Sequence, residues 1–245
     1  MARQSHLAHD AVMQDFQATL RDCTVQAACG RSYVRTTKLT EWLNGQVGSN
    51  SQASLLLGAA YRHRKQPHPP VSSEEISSGD NCCLLVFSIL LELGKGELID
   101  HFQRLSIVDR LLHIDRQTLE TKLQAMELAP NQLPDVASLA EQFDAIQWRF
   151  CPAMFEFRVG LNHPPNKIIP FFKKEKINDK GGTAQLWQVA VQEEFVSDKI
   201  RKAVPNSRFH DATDGFGYVS SSPSIKMVFD NSGNGSTILM VLLTI

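Results

Sequence analysis

Two glycines and one lysine carry the chemistry this chain offers. Gly181 and Gly182 lie within Ile177-Asn-Asp-Lys-Gly-Gly-Thr-Ala-Gln-Leu186, which continues as Trp-Gln-Val-Ala-Val. Phosphate groups are held by backbone N–H groups that approach closely, and side chains at those positions block the approach. Glycines in a turn between two apolar strands therefore suit an anion cradle. Ala184 is the next small residue, and Ile177 and Leu186 are apolar flanks. Lys226, in Ser224-Ile-Lys-Met-Val-Phe229, offers an ammonium group on a further strand. The same glycines also suit an ordinary hairpin turn, and the same lysine an exposed strand position.

These residues must be positioned by what precedes and surrounds them. The first half reads as helices. Val12, Phe16 and Leu20 are spaced for one helix over Asp10–Leu20, with Asp10 as its N-cap. Thr37–Leu43 places Leu39 and Leu43 on one face, and Asn44-Gly45 breaks it. Gln52–Arg64 is a third candidate. Gln66–Asp80, with Pro67, Pro69 and Pro70, reads as a connector, and Ser73 before Glu74 and Glu75 suggests one helical turn inside it. Cys82–Leu105 is apolar nearly all round and is expected inside a helical core, divided at Gly94 and Gly96. Asp115 or Thr118 is expected to cap a helix over Leu119–Leu128, which Pro130 ends. Leu133–Trp148 carries the stripe Val136, Leu139, Phe143 and Ile146. After His163-Pro164-Pro165 the helical period fades. Phe171-Phe172, Ile177, Leu186–Val191 and Ile225–Phe229 read as short strands. The expected fold class is α+β, with a helical region over 1–165 and a strand-rich region over 166–245.

The glycine segment and the lysine strand resemble the start of a protein kinase domain, whose G-x-G-x-x-G-x-V loop covers ATP phosphates and whose V-A-I-K lysine pairs with them. Asn178 or Asp179 stands where the first glycine belongs, Gly181 fits the second, and Ala184 replaces the third. With Lys167-Ile-Ile-Pro-Phe-Phe-Lys-Lys-Glu-Lys-Ile, Glu193-Glu-Phe-Val, Leu84-Leu-Val-Phe-Ser-Ile-Leu-Leu-Glu-Leu-Gly-Lys and Ile107-Val-Asp-Arg-Leu-Leu, the chain is similar to fungal protein-kinase-like proteins. In those proteins a helical region precedes the kinase domain. The resemblance covers residues 80–230 and implies part of a kinase small lobe. It implies ATP binding through Ile177, Gly181, Gly182, Ala184, Leu186 and Lys226. Relatives with the whole domain would transfer phosphate from ATP to protein Ser/Thr.

The resemblance stops short of a complete active site. The chain has no H-R-D-x-x-x-x-N catalytic loop and no D-F-G after Lys226; Asp214-Gly-Phe-Gly precedes that lysine. The only acidic residue after Lys226 is Asp230, too near in sequence to be a helix-C partner. A pseudokinase-like fragment, inactive alone and with no magnesium site, is the expectation. The apolar run Ile238–Ile245 suggests a strand left exposed by truncation. The competing expectation is a non-enzymatic module whose helical region binds other proteins and whose hairpin is inert.

Composition narrows the classes further. Net charge is −1, and residues 166–245 carry 10 Lys/Arg against 8 Asp/Glu, so no basic footprint for nucleic acid is present. Lys173, Lys174, Lys176 and Lys180 form one local cluster, readable as a solvated strand face or as a phosphate-attracting rim. The five cysteines include no C-x-x-C and are expected as reduced thiols, with Cys82 and Cys83 behaving as small hydrophobes. No apolar run approaches the ~20 residues that cross a bilayer, and residues 1–14 lack the apolar core of a signal peptide. A cytoplasmic protein without membrane partners is expected.

Overall fold

The computed structural model describes residues 2–62, 69–125, 135–156, 161–178, 186–203, 208–211, 215–219, 226–230 and 237–241. The fold is mixed helix and antiparallel strand. The chain divides into two compact units, and the division is not a single cut. One unit comprises Met1–Thr24 and Val34–Cys151; the other comprises Val25–Tyr33 and Pro152–Ile245. The composition shift at His163-Pro164-Pro165 lies inside the second unit.

In chain order the first half runs α1 (Ala2–Cys23), β1 (Thr24–Gln26), β2 (Ser32–Val34), α2 (Thr36–Asn44), β3 (Gln46–Val47) and β4 (Asn50–Ser51). It continues through α3 (Gln52–Tyr61), α4 (Ser73–Ser77), α5 (Leu84–Glu92), α6 (Ile99–Arg104), α7 (Arg116–Gln124) and α8 (Val136–Phe150). Then follow β5 (Leu161–Asn162), β6 (Phe171–Asn178), β7 (Leu186–Gln192), α9 (Asp198–Ala203), β8 (Arg208–Asp211), β9 (Gly215–Val219), β10 (Lys226–Asp230) and β11 (Thr237–Val241).

The first unit is built around α5. Leu84, Val86, Phe87, Ser88, Ile89, Leu90 and Leu91 are all buried. A helix apolar on every face is stable only where neighbours cover every face. Phe16 and Leu20 of α1, Leu39 and Leu43 of α2, Leu56 and Leu57 of α3, and Leu139 and Phe143 of α8 belong to the same core. Phe102 and Phe143 pack with ring centroids 5.4 Å apart. Gly94, at φ +67°, ends α5 in the left-handed region that side chains disfavour.

Several helix starts follow sequence chemistry, and others differ. Asp115 and Asp135 cap α7 and α8, accepting from the backbone N–H of Thr118 (2.9 Å) and Ser138 (3.2 Å). Asp10 is no cap: α1 begins near Ala2 and carries Asp10 in its interior. The helical turn within the proline-rich connector is real, but its cap is Ser72. That residue and Glu75 form a reciprocal capping box. Residues 63–68 and 126–134, including Leu128 and Pro130, lie outside the described residues. The expectation of an all-helical first region is corrected too, since β3 and β4 form a small antiparallel pair within it.

The start of α5 has a remote cap. Asp109 accepts from the N–H of Leu85 (3.0 Å) and Val86 (2.9 Å) and from the Cys82 thiol (3.3 Å). These are among the N–H groups an isolated helix leaves unsatisfied. Burial raises the Asp109 carboxyl above its ordinary range, while the backbone donors pull the other way.

The second unit is a sheet with a separate apolar core. Ala27, Tyr33, Ile168, Phe171, Val189, Val191, Phe195, Val196 and Ile200 form it. β6 pairs with β7, β8 with β9, and β10 with β11, all antiparallel. β11, expected as an exposed edge, is paired with β10 and, at Thr237 and Ile238, with β5. Among the described residues no helix is long and apolar enough to cross a membrane.

Candidate functional site

The candidate hairpin is β6, residues 179–185 and β7. Its ladder runs from Phe171 opposite Val191 to Asn178 opposite Leu186, with irregularities between Phe171 and Lys173 and between Lys176 and Asn178. Ile177 falls in the second irregularity and has no register partner in β7. It lies at the closing end of β6. A bulge there increases local twist where the chain leaves the ladder. Gly181, Gly182 and Ala184, with Lys180, lie outside the described residues.

β6 occupies one edge of β7 from Leu186 to Val191. A strand has two edges, so β9 and β10 must share the other. β9 takes its far end, with Val219 opposite Ala190, Tyr218 opposite Val191 and Gly217 opposite Gln192. β10 takes the end nearest the glycine segment, with Val228 opposite Leu186.

Lys226 is the first residue of β10. It stands two residues before Val228, the residue opposite Leu186. Within β6, Lys174 is opposite Val189, Lys176 opposite Trp187 and Lys173 opposite Ala190.

The open end of the hairpin is held by a segment that sequence reasoning missed. Residues 25–33 leave the helical unit and join the sheet unit. Their turn is tight: the Gly30 N–H donates to the Ala27 carbonyl at 2.9 Å, with Gly30 at φ +84°. The Ala28 N–H donates to the carbonyl of Phe171, the first residue of β6, at 2.6 Å. Arg31 donates from Nη1 to the Pro165 carbonyl (3.0 Å) and from Nη2 to the Lys167 carbonyl (2.9 Å). The buried Tyr33 hydroxyl meets the Gln192 side-chain oxygen at the end of β7 and lies 3.4 Å from the Pro170 carbonyl before β6. Its ring packs edge-on against Phe195 at 5.5 Å. The available hint was β-forming Thr24, Val25, Tyr33 and Val34 on either side of Gly30.

A second polar constellation lies in the helical unit. Asp100 and His101 are adjacent on α6, where neighbouring side chains are expected to diverge. Arg104 brings them together, with Nη2 2.7 Å from Asp100 Oδ2 and 3.0 Å from His101 Nδ1. Since guanidinium only donates, His101 Nδ1 accepts and the ring proton sits on Nε2. The Tyr61 hydroxyl donates to Asp100 Oδ1 at 2.7 Å. The Tyr61–Asp100 bond, which is buried, ties α3 to α6, and the exposed Arg104 closes the network from outside. Among the described residues no group of three or more His, Cys, Asp or Glu could hold a metal ion.

None of the five cysteines is in a disulfide. Burial is the main reason that Cys82 is raised from 9.0 to about 11 and Cys83 from 9.0 to about 12. Neither offers the thiolate that nucleophilic catalysis requires at neutral pH. Burial, and then the nearby Lys167 charge, lowers His163.

No protein-family model matches this sequence, and neither a curated protein nor a solved structure shows significant similarity to it.

Proposed function

We propose that the sheet unit is a kinase-like nucleotide-binding element, in which backbone N–H groups near Gly181 and Gly182 receive ATP phosphates and Lys226 pairs with them. The observation carrying this reading is the register of Val228 opposite Leu186. It brings the lysine strand beside the strand that leaves the glycine segment, on the edge not taken by β6. Nucleotide held between a glycine turn and a lysine requires that neighbourhood.

The proposal concerns binding. The chain contains no catalytic-loop base and no metal-binding D-F-G after Lys226, so phosphoryl transfer by these residues alone is not part of it. Thermal shift of the full chain with ATP, with and without magnesium, tests the reading. Ligand stabilisation follows RT ln(1 + [L]/Kd), so weak binding registers at high concentration. A dose-dependent rise that disappears in Lys226→Ala supports the proposal. No rise, or an equal rise in that variant, overturns it and favours the protein-interaction reading of the helical unit.

A further inference from the structure

We infer that Tyr33 is a positioning residue for the β6–β7 hairpin: carried in on residues 25–33, it fastens the ends of the two strands that flank the glycine segment. The inference rests on the nucleotide-binding reading only where it concerns ligand affinity.

The geometry is specific. β6 and β7 run antiparallel, so their open end comprises the start of β6 at Phe171 and the end of β7 at Gln192. Tyr33 meets both sides there, through the Gln192 side chain and the Pro170 carbonyl. Ala28 adds the bond to the Phe171 carbonyl. The Gln192 side chain is fully buried, and its Nε2 has no hydrogen-bond partner among the described residues. Losing the Tyr33 hydroxyl therefore strips the buried amide of the hydrogen bond it makes through Oε1. A hairpin is anchored by its ladder and by its ends, and freedom at the open end changes how the two strands present the segment between them.

The segment carrying Tyr33 is itself anchored. Arg35 N–H donates to the Cys23 carbonyl at 2.8 Å, closing the excursion at its base within the helical unit. α1 leads directly into it and α2 directly out of it. Ala27 and Tyr33 of this segment lie in the core of the sheet unit. This makes the hairpin dependent on residues more than a hundred positions earlier.

The test uses the full chain. Tyr33→Phe keeps the ring against Phe195 and removes only the hydroxyl. Ile200→Val trims the same core away from the hairpin ends and serves as a stability control. Hydrogen exchange is followed in peptides covering 171–178 and 186–192. Tyr33→Phe should raise exchange there about tenfold, with α5 unchanged, whereas Ile200→Val should leave those peptides within about twofold of wild type. Unchanged exchange in Tyr33→Phe, or an equal rise in both variants, overturns the inference. ATP affinity is measured alongside. A weaker Kd in Tyr33→Phe but not in Ile200→Val extends the positioning role to ligand binding. If wild type binds no ATP, the functional proposal falls, and the role of Tyr33 is decided by exchange alone.

Discussion

The helical unit and the sheet unit reach their cores by opposite routes. Around α5 a single continuous segment, Leu84–Leu91, is buried, and apolar residues of α1, α2, α3 and α8 pack into the same core. Around β7 the core needs residues 25–33, more than 130 positions before the carbonyls and the Gln192 side chain that they bond. The first arrangement is dominated by apolar area, with Asp109 as a polar cap at the start of its central helix. The second hangs on a few directional contacts that cross a long sequence gap, so small chemical changes there should have local and selective effects.

The largest expected effect breaks the helical side of this contrast. Phe102→Ala removes a fully buried ring packed on Phe143 and should destabilise the chain by about 3–5 kcal/mol in urea unfolding. Loss under about 1 kcal/mol would show that the α5 core adapts far more than its packing suggests. Next comes the remote cap. Asp109→Ala leaves the Leu85 and Val86 N–H groups unsatisfied and should cost about 2–3 kcal/mol, with faster exchange concentrated at the start of α5.

Tyr33→Phe sharpens the sheet side. Its expected cost is about 1–3 kcal/mol, the penalty of a buried amide losing its hydrogen bond. Any change should be confined to sheet-unit peptides; equal loosening of α5 would erase the distinction between the two routes.

The smallest stability effect involves the thiols. With its pKa raised to about 11, Cys82 holds roughly a hundredfold less thiolate at pH 8 than an ordinary thiol at 9.0. Iodoacetamide should therefore label exposed Cys29 well before Cys82 or Cys83. The sign of the linked pH effect follows. Unfolded thiols ionise near 9, whereas folded Cys82 and Cys83 hold their protons to about 11 and about 12. The stability they contribute is complete below pH 9 and lost as pH rises through those values. Cys83→Ala should flatten this alkaline decline, and an unchanged pH profile would count against the thiols as its source.

Legibility differed between the units for the same reason. The stripes Val12–Phe16–Leu20, Leu39–Leu43 and Leu139–Phe143 announced helices because helical neighbours lie three or four residues apart. Asp115 and Asp135 cap helices through bonds three residues long. Asp109 offered no such clue, because its partners at Leu85 and Val86 lie more than 20 residues away. At the candidate site, the sequence pointed to Gly181, Gly182 and Lys226 by residue type. It said nothing of β9 sharing an edge with β10, or of Tyr33 at the hairpin's base.

The amino-acid order by itself determined where helices form, which of their faces are apolar, and which residues have the chemistry to meet a phosphate. Those properties are written in spacings of two to four residues. Tertiary structure alone decided that Leu186 lies opposite Val228 and that residues 25–33 belong to the sheet unit. Strand pairing joins groups far apart in the chain through backbone bonds that every residue type can make, so local pattern does not specify the partner.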